Sequence, residues 1–120
     1  MATITGLNTA SIFVDDYDGT VDFYVNKLGF ALEEGTEHAS MLRAGDFRLL
    51  VHMEGPPAAP PDLAFHLHLW VDDIDAYYRQ LLERGVAVLE APQDRPWGLR
   101  TFHVKDPNGY DWEFTQEIVR

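Results

Sequence analysis

The chain contains no cysteine. That excludes a disulfide framework, thiolate metal ligation and a cysteine nucleophile. It is short of positive charge: Lys and Arg number 9 against 20 Asp and Glu, a formal net charge of −11. Such a balance argues against a nucleic-acid partner, which asks for a basic face. It is compatible with a cationic ligand, or with solubility alone. No apolar run is long enough to span a bilayer, and no charged-then-apolar leader is visible, so the expectation is a cytoplasmic protein without a membrane partner. There is no glycine-rich phosphate loop, because Gly6, Gly19 and Gly29 sit at turns and element ends. Ser11 and Ser40 lack the neighbours of a serine nucleophile.

What is present fits one domain. With 120 residues, 46% of them hydrophobic, the chain can bury a core without staples. Ala10 to Val14 reads as a short strand, and Asp15 to Thr20 breaks it and offers helix caps. Val21, Tyr24, Val25 and Leu28 follow at helical spacing, and Gly29 stands where a helix C-terminus wants glycine. Phe30–Glu34, His38–Arg43 and Phe47–Met53 read as three strands. Glu54 to Asp62, with four prolines, reads as a linker.

The order then repeats. Ala64 to Val71 reads as a strand; Asp72 and Asp73 cap a helix striped by Ile74, Tyr77, Tyr78, Leu81 and Leu82, which Gly85 ends. Val86 to Glu90 is a further predicted strand. The repeat is visible in letters: Phe13-Val14-Asp15-Asp16 against Trp70-Val71-Asp72-Asp73. The predicted architecture is therefore α+β, two tandem βαβββ modules. Module 1 is about 5–53, the linker 54–62, and module 2 about 63–118.

The last stretch is a hairpin. Leu99 to Lys105 and Tyr110 to Gln116 read as strands joined by Asp106-Pro107-Asn108-Gly109. On a period of two, Trp112 and Phe114 face the core, while Asp111, Glu113 and Thr115 face the other way. The same alternation puts Leu67, Leu69 and Val71 against the helix and His66, His68 and Trp70 on the opposite face. In the first module Ala10, Ile12 and Val14 take the helix side, leaving Thr9, Ser11 and Phe13 opposite. A face with regular polar residues is either a lined cavity or a solvated sheet.

The paired βαβββ units, the strand running into Val-Asp-Asp, Leu28-Gly29-Phe30 and the closing Asp106-Pro107-Asn108-Gly109-x-x-x-Glu113 together resemble the vicinal oxygen chelate superfamily. That superfamily includes glyoxalase I, extradiol dioxygenases and bleomycin-resistance proteins. The resemblance covers essentially the whole chain and is specific for fold rather than activity. It implies curved mixed sheets around a cavity, and a homodimer. It also implies metal ligands at His66 and Glu113, with Thr9 at a third ligand position. The fourth position falls near Leu50, with His52 two residues on as a substitute. In the metal-dependent reading one divalent ion holds vicinal substrate oxygens as a Lewis acid, and Glu113 is also catalytic, with Asp111 or another carboxylate carrying a proton.

Thr9 is not an expected divalent-metal ligand, which opens a second reading. Pro96-Trp97-Gly98, Arg100, Phe102 and Asp106-Pro107-x-Gly109 resemble the same region of bleomycin-resistance proteins. Those are metal-free dimers that sequester a cationic, aromatic-tailed drug. Aromatic faces stack on flat ligands and attract cations. The expected lining of the cavity is Thr9, Ser11, Phe13, His52, His66, His68, Trp70, Trp97, Arg100, Asp111 and Glu113. Arg100 would meet either an anionic ligand group or a carboxylate of the protein. His38 and His103 are expected at the surface or rim. Two functions stay open at this point: a protein that sequesters a small organic molecule without metal, and a divalent-metal-dependent lyase, isomerase or dioxygenase.

Overall fold

The structure is a computed structural model, and it describes residues 2–53 and 67–118. The proline-rich linker and His66 lie outside the described residues. The chain divides into two compact units, 1–58 and 59–120. Each carries one four-stranded mixed sheet, curved and not closed on itself. Among the described residues no helix is long and apolar enough to cross a membrane.

The first unit runs β1 (Ala10–Phe13), α1 (Tyr17–Asp22), a π-helical segment (Phe23–Leu28), β2 (Ala31–Gly35), β3 (Ala39–Ala44) and β4 (Phe47–His52). Its strand order is β1-β4-β3-β2, with β1 parallel to β4 and the other pairs antiparallel. The Asp16 side chain caps α1 by accepting from the Gly19 amide at 3.0 Å. The predicted 3.6-residue stripe is modified by the π turn that follows. The wider winding buries Phe23, Tyr24 and Leu28 and leaves Val21 and Val25 half-buried. Gly29 closes the segment with φ +95°, and the Phe30 amide reaches back to the Tyr24 carbonyl at 2.9 Å. The core between helix and sheet is Ile12, Val14, Leu42, Leu49 and Val51, with Tyr24 edge-on to Phe30.

The second unit runs β5 (Leu67–Trp70), α2 (Ile74–Glu83), β6 (Gln93–Asp94), β7 (Leu99–Lys105) and β8 (Asp111–Glu117). Its order, β5-β8-β7-β6, mirrors the first sheet, again with the first strand parallel to the last. Asp73 caps α2 through the Ala76 amide, as its place before the helical stripe predicts. Tyr77 packs edge-on to Phe114 at 4.9 Å between centroids, and Tyr78 likewise to Phe102 at 5.7 Å. With Trp112, Val104, Ile74 and Leu81 these rings form the core of the unit. Burial pushes the Tyr77 phenol above the usual tyrosine range.

Val86–Glu90 is not the expected strand. The Val86 amide bonds the Leu81 carbonyl and the Gly85 amide bonds the Leu82 carbonyl, so both residues belong to the helix terminus. Val86 is buried, and the edge strand forms later, over two residues after Pro92. Gly85, at φ +80°, makes this reversal. Gly85→Ala should cost about 1 kcal/mol. Phe102→Ala, which empties the centre of the ring cluster, should cost about 3–5 kcal/mol. Urea unfolding of the two variants checks both values and their order.

Candidate functional site

The connection between β7 and β8 determines the site. Asp106 is buried, and its carboxylate accepts from the Asn108 amide at 2.8 Å and the Tyr110 amide at 3.0 Å. Its own amide donates to the Tyr110 carbonyl at 2.9 Å, and Gly109 turns the chain with φ +91°. Tyr110 thus belongs to the turn, and pairing starts at Lys105 with Asp111. His103 then lies opposite Glu113, and His68 of β5 flanks Glu113 on the other side.

These neighbours make a chain of contacts on the face away from α2. His68 Nδ1 lies 2.5 Å from Glu113 Oε2, and His103 Nε2 lies 3.0 Å from Glu113 Oε1. His103 Nδ1 lies 3.1 Å from Asp111 Oδ2. Glu113 is only 8% exposed, and each of its oxygens faces an imidazole, which satisfies a buried carboxylate. Buried Thr101 and Thr115 continue the face; the Thr101 hydroxyl accepts from Arg95 Nε at 2.8 Å.

Of the residues expected to line a cavity, His68, Asp111 and Glu113 come together here, and Trp70 is at the end of β5 with its indole 68% exposed. Trp97 is equally exposed, on the β6–β7 turn that the Gly98 amide closes on the Arg95 carbonyl. His66 lies outside the described residues. Arg100 is not on this face. It alternates with Phe102 and Val104 on the helix side, where its guanidinium bonds Asp75 of α2 at 2.9 Å and Asp94 at 3.0 Å. Those bonds hold its pKa above the ordinary arginine value. His103, expected at a rim, is the residue that links the two carboxylates.

In the first unit, Ser11 and Phe13 lie opposite Leu50 and His52. Phe13 stacks on His52 at 5.0 Å, so His52 has an aromatic neighbour on this sheet. The Thr9 hydroxyl bonds the Asn8 side chain at 2.5 Å. On the same sheet Arg43 and Arg48 converge on Glu33 at 3.1 and 3.0 Å. The Arg43 hydrogen bond, more than the charge of either arginine, holds the Glu33 carboxyl below its ordinary value.

The donor set can be tested for a metal. Among the described residues no group of three or more His, Asp or Glu side chains is arranged to hold one. The imidazole nitrogens that face Glu113 are directed at its oxygens rather than at a common point. No chemical step is therefore routed through a metal here.

Comparison with known proteins now decides the lineage. The family model described as Glyoxalase/Bleomycin resistance protein/Dioxygenase superfamily matches residues 6–114. The chain belongs to this superfamily. Within it, the chain is 32% identical to TnmS3, an antibiotic binding protein from Streptomyces sp. CB03234, covering 98% of this chain and 99% of that one with a TM-score of 0.80. TioX from Micromonospora sp. ML1 is 29% identical, with coverage of 96% and 98% and a TM-score of 0.73. An uncharacterized protein of Mycobacterium tuberculosis is 30% identical over 89% of this chain and 72% of its own length.

Two outcomes follow for this superfamily member. A double-mutant cycle on His103→Ala and Glu113→Ala, read by denaturant unfolding, should show a coupling of about 0.5–3 kcal/mol, as for contacting residues. Glu33→Gln should narrow its stability deficit as the medium is acidified. A lowered folded pKa gives stability that is complete above the unfolded value and lost as pH falls through the folded one. Melting temperatures of both proteins from pH 7 to pH 3, at about one-unit steps, check the sign.

Proposed function

We propose that this protein captures a small, flat organic molecule on the face of the second unit that carries His68, His103, Asp111 and Glu113, and releases it chemically unchanged. The observation that carries this reading is the likeness to TnmS3, an antibiotic binding protein, at 32% identity over nearly the full length of both chains. The local chemistry supports it. Exposed indoles at Trp70 and Trp97 offer faces for stacking. The acids Asp111 and Glu113, on a chain of net charge −11, favour a ligand with a cationic group. Thr101 and Thr115 add small polar positions beside them.

The reading includes the remaining expectations from the sequence: one domain of two modules, with boundaries near 5–53 and 63–118, acting as a cytoplasmic homodimer. It assigns Glu113 a binding role. The metal-dependent alternative would need His66, which lies outside the described residues.

The test is titration of tryptophan fluorescence with a panel of planar aromatic antibiotics, bleomycin included, followed by mass spectrometry of the recovered ligand. At least one should quench saturably at one per chain and come back unaltered. Trp97→Ala should weaken that binding about tenfold, roughly 1.4 kcal/mol. Turnover of the ligand, or activity that appears on adding Zn, Mn, Fe or Ni and is lost in His66→Ala, would establish the enzymatic reading instead.

A further inference from the structure

A second opening in the same unit lies beside the helix. A cleft of about 640 Å³ runs between the first half of α2 and the end of β5. Asp73, Ala76, Tyr77 and Gln80 line one wall, spaced so that they share one helix face, and Trp70, Val71 and Asp72 line the other. That volume is in the range of small-molecule sites. Among the described residues no lysine or arginine lines it.

The polar groups of the cleft select the sign of a ligand. The start of a helix of 10 residues would ordinarily favour an anion, but here the amides of Ile74, Ala76 and Tyr77 are already used. Ile74 donates to the Gln116 side chain at 2.7 Å, Ala76 to the Asp73 carboxylate at 3.1 Å, and Tyr77 to the Asp73 carbonyl at 3.0 Å. The charged side chains among its described lining residues are the carboxylates of Asp72 and Asp73. Asp72 is exposed and takes part in no ion pair among the described residues. The Trp70 indole is largely exposed and stacks on no ring among the described residues. A tryptophan face attracts cations best of the aromatic side chains, and an adjacent carboxylate adds to the attraction.

We propose that this cleft is a separate binding site for flat organic cations, heteroaromatic rings bearing a quaternary or protonated nitrogen, with the ring against Trp70 and the charge on Asp72. The cleft shares Trp70 with the capture reading and is distinguished from it by Asp72, Ala76 and Gln80, which contact none of His68, His103, Asp111 or Glu113 through any ion pair or hydrogen bond described above.

The test is an amide NMR titration of the full chain with N-methylquinolinium. Expected are saturable shifts at the Trp70 side-chain N–H and at residues 72–80. Asp72→Asn and Gln80→Arg, both at exposed positions, should weaken those shifts at least tenfold while leaving the remaining spectrum in place. Shifts confined to residues 103, 111 and 113 would overturn the cleft site while leaving the capture reading standing. So would equal affinity in the two variants, or no shift at millimolar probe. Sedimentation decides the other occupant: if Trp70→Ala halves the mass in solution, a second copy covers the cleft and the proposal fails.

Discussion

The five-residue connection that Asp106 closes between β7 and β8 is the constraint on which the second unit depends. A side chain on a strand changes face with every step of register, so one residue more or less in this turn would invert the whole hairpin. With Tyr110 in the turn, Phe102 meets Phe114 and packs beneath α2, while His103 meets Glu113 on the opposite face. Core and candidate site are thus two consequences of one pairing. The buried carboxylate of Asp106 is satisfied by two backbone amides, and this local cost of burial is offset where the register is set.

Burial of Glu113 follows from the same arrangement. An isolated carboxylate with so little exposure would be costly, and the imidazoles on both flanking strands meet that cost. The parallel pairing of β5 with β8 supplies His68, and the antiparallel pairing of β7 supplies His103. The first unit has the same strand order but different chemistry at the matching place. There Leu50 lies opposite Ser11, and the aromatic pair Phe13 and His52 takes the next position. A duplicated scaffold that presents Ser11, Leu50, Phe13 and His52 on one sheet and acids with imidazoles on the other fits a protein whose two halves have diverged in what they present, since function lives in the site rather than the fold.

Much of this was legible in the residues. The repeat of Val-Asp-Asp after a strand gave the tandem units, the glycines at 29 and 85 gave the helix ends, and period-two alternation put Trp112 and Phe114 in the core. The superfamily followed from the same motifs. Three features were not legible. The π turn after α1 leaves the same apolar letters as an α-helix, so spacing alone could not distinguish them. The segment Val86–Glu90 has strand-like composition, yet its first residue is tied back to Leu81 by the helix cap, a tertiary choice that overrides propensity. His103 was hidden by register: a four-residue turn over Asp106–Gly109 would have set it against Trp112, and only the extra residue brings it to Glu113. Arg100 differs: period-two counting from Phe102 within the strand already puts it on the helix side, where it meets Asp75.

The pairing of β7 with β8 is open to direct measurement by cross-strand NOEs in the full-length protein. The account predicts contacts joining Phe102 to Phe114 and His103 to Glu113, with none joining His103 to Trp112. Contacts between His103 and Trp112 would shift the hairpin by one residue, move Glu113 to the other face and contradict the site described here.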